Sequence, residues 1–144
     1  MKRKTFFQTL AVAFMLSTTT LAAIAQTATT SQTKVVFQVS DGDAAKWNLA
    51  LNNAKNVQQE LGADKVEIEI VAYGPGIGML KADATISNRV IEAAQSGIKI
   101  VACENTMINQ KLTKADMNPN ISYVPAGVVE LMRLHGQGWA YIRP

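Results

Sequence analysis

The chain has 144 residues, 48% of them apolar, with 14 Lys plus Arg against 11 Asp plus Glu and a formal net charge of +3. Three of those cations are Lys2, Arg3 and Lys4; without residues 1–25 the remaining 119 residues carry 11 charges of each sign. The positive balance therefore belongs to the N-terminus, and no electrostatic case for a nucleic-acid partner remains.

Lys2-Arg3-Lys4 precedes a short apolar run, Phe6 to Leu16, and Ala23-Ile24-Ala25 offers a small-x-small cleavage site. The apolar run is about half the ~20 residues a membrane-spanning helix needs. Residues 1–25 thus read as a cleaved secretory signal, which predicts a periplasmic protein with no stable membrane insertion after cleavage. Residues 26–33 (QTATTSQT) are polar, without apolar period, and read as a flexible tether. Residues 34–144 show no repeat and no second composition shift, so they form one domain. Such a domain buries roughly two-thirds of its unfolded surface.

Val35 to Val39 is β-branched and aromatic and ends at Ser40-Asp41-Gly42-Asp43, a cluster of turn and cap residues, which predicts a buried strand running into a helix. Trp47, Leu51, Ala54, Val57 and Leu61 recur at helical spacing before Gly62, placing an amphipathic helix over residues 44–61. On its flank Asn48, Asn52 and Asn56 form a polar stripe, read as a solvated face or a subunit contact. Val66 to Ile70 alternates and then turns wholly apolar through Tyr73, a second strand that enters with one face wet and finishes buried.

After the glycine-rich turn, residues 86–96 have helical spacing, with Thr85 as cap and Gly97 as terminator. Residues 98–103 make the third strand. A short helix near residues 107–112, a strand at 121–124, a helix over 126–135 and a last strand at 139–143 complete the chain, with Trp139 and Tyr141 on one side of that strand. Strands alternating with helices of this length need parallel neighbours and right-handed crossovers. The fold class is α/β, a three-layer sandwich around a mostly parallel sheet.

Cys103 is the one cysteine, at the carboxyl end of the third strand, where ligands meet open α/β sheets. A single thiol forms no internal disulfide, so in an oxidising compartment it is buried, modified or paired with another molecule. Two readings stand: a small buried side chain, or a reagent activated by a helix N-terminus. Asn105 or Thr106 is placed to cap the following helix and aim its N–H groups at the sulfur. Glu104 opposes a thiolate if its carboxylate turns inward.

Tyr73-Gly74-Pro75-Gly76-Ile77-Gly78 lacks the lysine-hydroxyl pair of a phosphate loop and the acidic ribose partner of a dinucleotide site. Its glycines read instead as a tight loop approaching the Cys103 pocket, with Tyr73 in the wall. His135 reads as a helix-end residue before Gly136. Too few ligands are spaced for zinc, and Met79, Met107 and Met117 near the loops read as packing residues before copper ligands. No metal site and no cofactor is expected.

The blocks VVFQVSDGDAAKWNLALNNAKN, IVAYGPGIGML, VACENTM and VPAGVVELM resemble, in order, those of the DsrE/DsrF-like family, in particular its exported members. The resemblance covers nearly all of residues 34–144. It implies a five-stranded parallel sheet with helices on both faces, homo-oligomers or complexes with related subunits, and sulfur relay through a persulfide on a cysteine near the end of the third strand. Cys103 is the matching position. The function expected is an exported sulfur-binding or sulfur-relay protein, a carrier more than a turnover enzyme, taking its sulfur from a small sulfur compound or a partner thiol. A site would comprise Cys103 with Tyr73, Gly74, Gly76, Gly78, Asn105 and Thr106. The competing expectation is a non-catalytic oligomeric binding or assembly module whose cysteine is structural.

Overall fold

The computed structural model describes residues 32–144; the expected signal segment and most of the expected tether lie outside the described residues. Five strands, β1 (Thr33–Val39), β2 (Val66–Ala72), β3 (Lys99–Cys103), β4 (Ser122–Val124) and β5 (Ala140–Ile142), form one sheet in the order β4-β3-β2-β1-β5. Every pairing is parallel. The helices are α1 (Ala44–Leu61), α2 (Ser87–Gln95), α3 (Glu104–Asn109) and α4 (Gly127–Gly136), joined by 3-10 turns at Gly74–Leu80 and Lys114–Asp116.

Handedness distributes the helices. From β1 to β4 the chain steps in one direction across the sheet, so right-handed crossovers lay the connecting helices on one face. The step from β4 back to β5 reverses direction and lays α4 on the other face. Strand alternation then sorts the core. Val35, Phe37, Val39, Ile68, Ile70, Ile100 and Ala102 pack on the first face with Leu51 and Ala54 of α1, Val90 of α2 and Met107 of α3. Val36, Val71 and Val101 pack on the second with Leu131 and Leu134 of α4 and with Trp139. Because β3 leads into α3 on one face and β4 into α4 on the other, the two chains diverge at the carboxyl ends of these neighbouring strands and leave a crevice there.

Local signals set the helix limits with some shifts. Asp43 caps α1 through its side chain, which accepts from Ala45 N–H at 2.9 Å. Gly62 and Gly97, at φ 92° and 93°, end α1 and close the turn after α2, a backbone conformation that L side chains rarely adopt. Thr85 does not cap α2: the N-cap position falls on Ile86, whose burial in the first-face core outweighs the missing side-chain cap. Leu61 is exposed, outside the apolar face expected of α1. The glycine-rich segment, expected as a tight loop, is a two-turn 3-10 helix.

Candidate functional site

Alternation along β3 turns Cys103 toward the α4 side, at the crevice between the diverging ends of β3 and β4. α3 begins at Glu104, so Cys103 itself occupies its N-cap position, which the sequence assigned to Asn105 or Thr106. β4 pairs Val124 with Cys103, and three residues later Gly127 opens α4. The sulfur therefore lies at the starts of two helices. Its thiol is directed at the Pro125 carbonyl, 4.0 Å away.

Burial alone pushes this thiol up, and the residue is only 5% exposed. The Thr106 hydroxyl and the N–H groups of Gly127, Thr106 and Asn105 act in the opposite sense, and the sum holds the Cys103 thiol below the ordinary cysteine range. Thr106 is aimed by a second bond: its Oγ1 accepts from Gly74 N–H at 3.0 Å, which leaves the hydroxyl hydrogen free to donate to sulfur. Gln110 fixes the same turn, its amide donating to the Gly74 carbonyl at 3.1 Å. Glu104 does not turn toward the thiol. Its carboxylate is 3.9 Å from the Lys114 ammonium, which in turn lies over the Tyr123 ring at 4.6 Å.

Of the residues singled out from sequence, Cys103, Tyr73, Gly74, Asn105 and Thr106 come together, Tyr73 through the start of α4. A Cβ on Gly127 would lie 3.1 Å from the Tyr73 Cβ, so the absent side chain lets α4 approach the end of β2. Gly76 and Gly78 do not shape the sulfur pocket. A Cβ on Gly76 would meet the Val39 carbonyl at 2.3 Å, and one on Gly78 the Trp47 ring at 3.1 Å; both glycines serve packing on the α1 side. Met79, Met107 and Met117 are buried in the core of that same face. Among the described residues no three His, Cys, Asp or Glu side chains are grouped to hold a metal ion.

Pro125 and Gly127 were not singled out in the sequence as site residues. Their signal was Pro-Ala-Gly between a strand and a helix, a strand-end loop like the one after Val39, but placing it beside Cys103 requires knowing that β3 and β4 are neighbours.

Below the crevice, on the α4 side, Glu69 is 1% exposed, although its alternation with Glu67 suggested a wet position. Lys99 donates to its Oε2 at 2.9 Å, while Oε1 has no hydrogen-bond partner. Lys99 also approaches Glu130 at 3.9 Å, and Arg133 grips Glu130 with two bonds, at 2.5 and 2.8 Å. Burial raises the Glu69 carboxyl against the pull of Lys99, whereas Arg133 holds Glu130 down, so of the two Glu69 keeps its proton to the higher pH. As pH rises above the ordinary carboxyl range the unfolded chain releases this proton before the folded one does, and that contribution to stability is lost. A Glu69→Gln variant keeps a donor toward Glu130 and an acceptor for Lys99. Its stability relative to wild type should therefore climb with pH from about 5 upward, as read by urea unfolding at several pH values; a flat difference would show that Glu69 is ionised in the folded chain.

A five-stranded parallel sheet with a thiol at the switch between its two helical layers defines an α/β protein of the strand-end-cysteine kind. The chain belongs to the DsrE/DsrF-like family, whose pattern it matches over residues 33–144. A protein of unknown function from Methanobacterium thermoautotrophicum is similar at 33% identity and a TM-score of 0.75, over 78% of this chain and 99% of that one. A conserved protein of unknown function from Bacteroides thetaiotaomicron aligns at 18% identity and TM-score 0.66, over 81% and 99%. The ychN protein of E. coli aligns at 8% identity and TM-score 0.64, over 78% and 99%; these last two likenesses are of fold. Among curated proteins none matches.

Proposed function

We propose that this protein is exported to the periplasm and carries sulfane sulfur as a persulfide on Cys103. One observation carries the reading: the Cys103 sulfur is served by the Thr106 hydroxyl and by N–H groups from the starts of both α3 and α4, an arrangement that outweighs burial and holds the thiol below the ordinary cysteine range. Family membership supports sulfur relay in general, and the N-terminal signal pattern supports export.

The loading step balances with thiosulfate as donor. The Cys103 thiolate attacks the outer sulfur, a new S–S bond forms as the old one breaks, and sulfite leaves with the electron pair of the broken bond. The product is a persulfide on Cys103 with its negative charge on the outer sulfur. The 5% exposure of Cys103 restricts the donor to a small molecule, or requires α4 to yield where it meets Tyr73. In the transfer step a partner thiolate attacks the outer sulfur of the protonated persulfide, a new S–S bond forms as the bond to Cys103 breaks, and Cys103 leaves as the thiolate.

Intact-protein mass spectrometry after incubation with thiosulfate or polysulfide should show one added sulfur atom on the wild type and none on Cys103→Ser. Absence of that mass, under conditions that load an established carrier, ends the proposal.

The burial of the thiol favours a second reading, an assembly module with a structural cysteine. Val128, Val129 and Met132 on the outer side of α4, the last 69% exposed, supply it with an apolar surface for a second copy or a related subunit. Reaction with a disulfide reagent in the native state separates the two: rapid modification at neutral pH belongs to the carrier, protection until denaturation to the module.

A further inference from the structure

Arg89 carries a charge that no carboxylate balances within salt-bridge distance among the described residues. Its half-buried guanidinium donates to the side-chain oxygens of Asn48 and of Asn52, the second at 2.6 Å. Both acceptors are neutral, and among the described residues Arg89 forms no salt bridge. A guanidinium offers five N–H donors in a planar fork, and two asparagine oxygens leave the rest of the fork open to a ligand. Two members of the asparagine stripe of α1, Asn48 and Asn52, thus hold a cation in place.

That cation borders a cavity of about 460 Å³ between α1 and α2. Two polar bridges brace the helices at either end of it. Arg89 with Asn48 and Asn52 is one; at the other the Gln58 amide donates to the Ser96 carbonyl at 2.9 Å. The groove between them is therefore preformed, and its size falls within the range of small-molecule sites. Leu51, Ala93 and Ile98 give it an apolar wall, and Lys55 adds a second cation without a salt bridge among the described residues. Glu92 is the carboxylate of the lining and leaves it one net positive charge.

We propose that this groove binds a small amphipathic monoanion, a carboxylate on an apolar body, with its head at Arg89 and Lys55 and its body against Leu51, Ala93 and Ile98. The guanidinium fork matches a carboxylate, and the single net charge suits a monoanion. The site is on the face of the sheet opposite Cys103, so it stands independently of the sulfur chemistry.

Calorimetric titration of the full chain with octanoate, and with octanol as its uncharged counterpart, tests this. The expected result is one octanoate per chain, with octanol bound at least about tenfold more weakly (about 1.4 kcal/mol). Arg89→Gln should lose about tenfold, Lys55→Gln about threefold, and Ala93→Phe, which fills the groove, should remove binding; these are the sizes of charge-assisted contacts and of a blocked pocket. Cys103→Ser should bind as wild type. Should Arg89→Gln loosen the helix pair, the exposed Lys55 and the filled groove still decide. No saturable octanoate binding, equal affinity for octanol, or unimpaired binding by Ala93→Phe each overturns the proposal.

Discussion

Replacing Gly76 with alanine should destabilise the fold by about 3 kcal/mol or more, the largest effect expected among the described glycines. The new Cβ would sit 2.3 Å from the Val39 carbonyl oxygen, 2.6 Å from its carbonyl carbon and 3.0 Å from the Ser40 Cα. All three atoms are backbone at the end of β1, a strand paired on both sides, so no rotamer change relieves the clash. Either β1 or the 3-10 turn must shift, and Tyr73 N–H, which donates to the same Val39 carbonyl at 3.1 Å, shifts with it. Gly78→Ala provides the contrast. Its Cβ meets only the far edge of the Trp47 ring, at 3.1 Å, and a ring edge can give by a few tenths of an ångström. The expected loss there is about 1 kcal/mol. Thermal unfolding compares the pair, with a melting point lower by roughly 10 °C or more for Gly76→Ala; a Gly76→Ala protein within 1 kcal/mol of wild type would mean the turn packs less tightly against β1 than the geometry has it.

Thr106→Val should slow the reaction of Cys103 with an alkylating reagent at neutral pH by about fivefold, the worth of one net hydrogen bond near 1 kcal/mol. The sign follows from the charge form. The Thr106 hydroxyl donates to S⁻ and holds the thiol low, so removing it raises the thiol pKa and thins the thiolate population. The midpoint of the pH–rate profile then moves to higher pH, while the rate at high pH, where both proteins are thiolate, changes little. A purely structural role for Thr106 would alter the melting temperature without moving that midpoint. The substitution also strips Gly74 N–H of its acceptor, so Thr106→Ser, which keeps the hydroxyl, should restore the wild-type profile.

The elements themselves were legible along the chain. The β-branched and aromatic run of Val35 to Val39, the period of two in Val66 to Ile70, the threes and fours of α1, and the glycines after α1 and α2 are local facts of backbone geometry, and the right-handed crossover turns their order into a parallel sheet. The position of Cys103 at a strand end was equally readable. Alternation, however, treated Glu67 and Glu69 alike. α4 returns across the second face and covers one of them, so Glu69 shares a buried network with Lys99 and Glu130 while Glu67 pairs at the surface with Lys34.

The same limit divided the site. Thr106 and Asn105 follow Cys103 by a few residues, and helix geometry alone brings their N–H groups back to the sulfur. Gly127 and Pro125 reach it from more than twenty residues away because β4 pairs with β3, and Arg89 reaches Asn48 across the gap between α1 and α2. Gly76 and Gly78 were spaced like the rest of their loop, but the 3-10 turn rotates them toward β1 and Trp47. Residue periodicity determined which side of most elements is apolar and, to within a few residues, where each begins and ends. What lies against that side was decided only when the return of α4 and the order of the strands brought distant segments together, because contact depends on distance in space and a period along the chain carries no information about it.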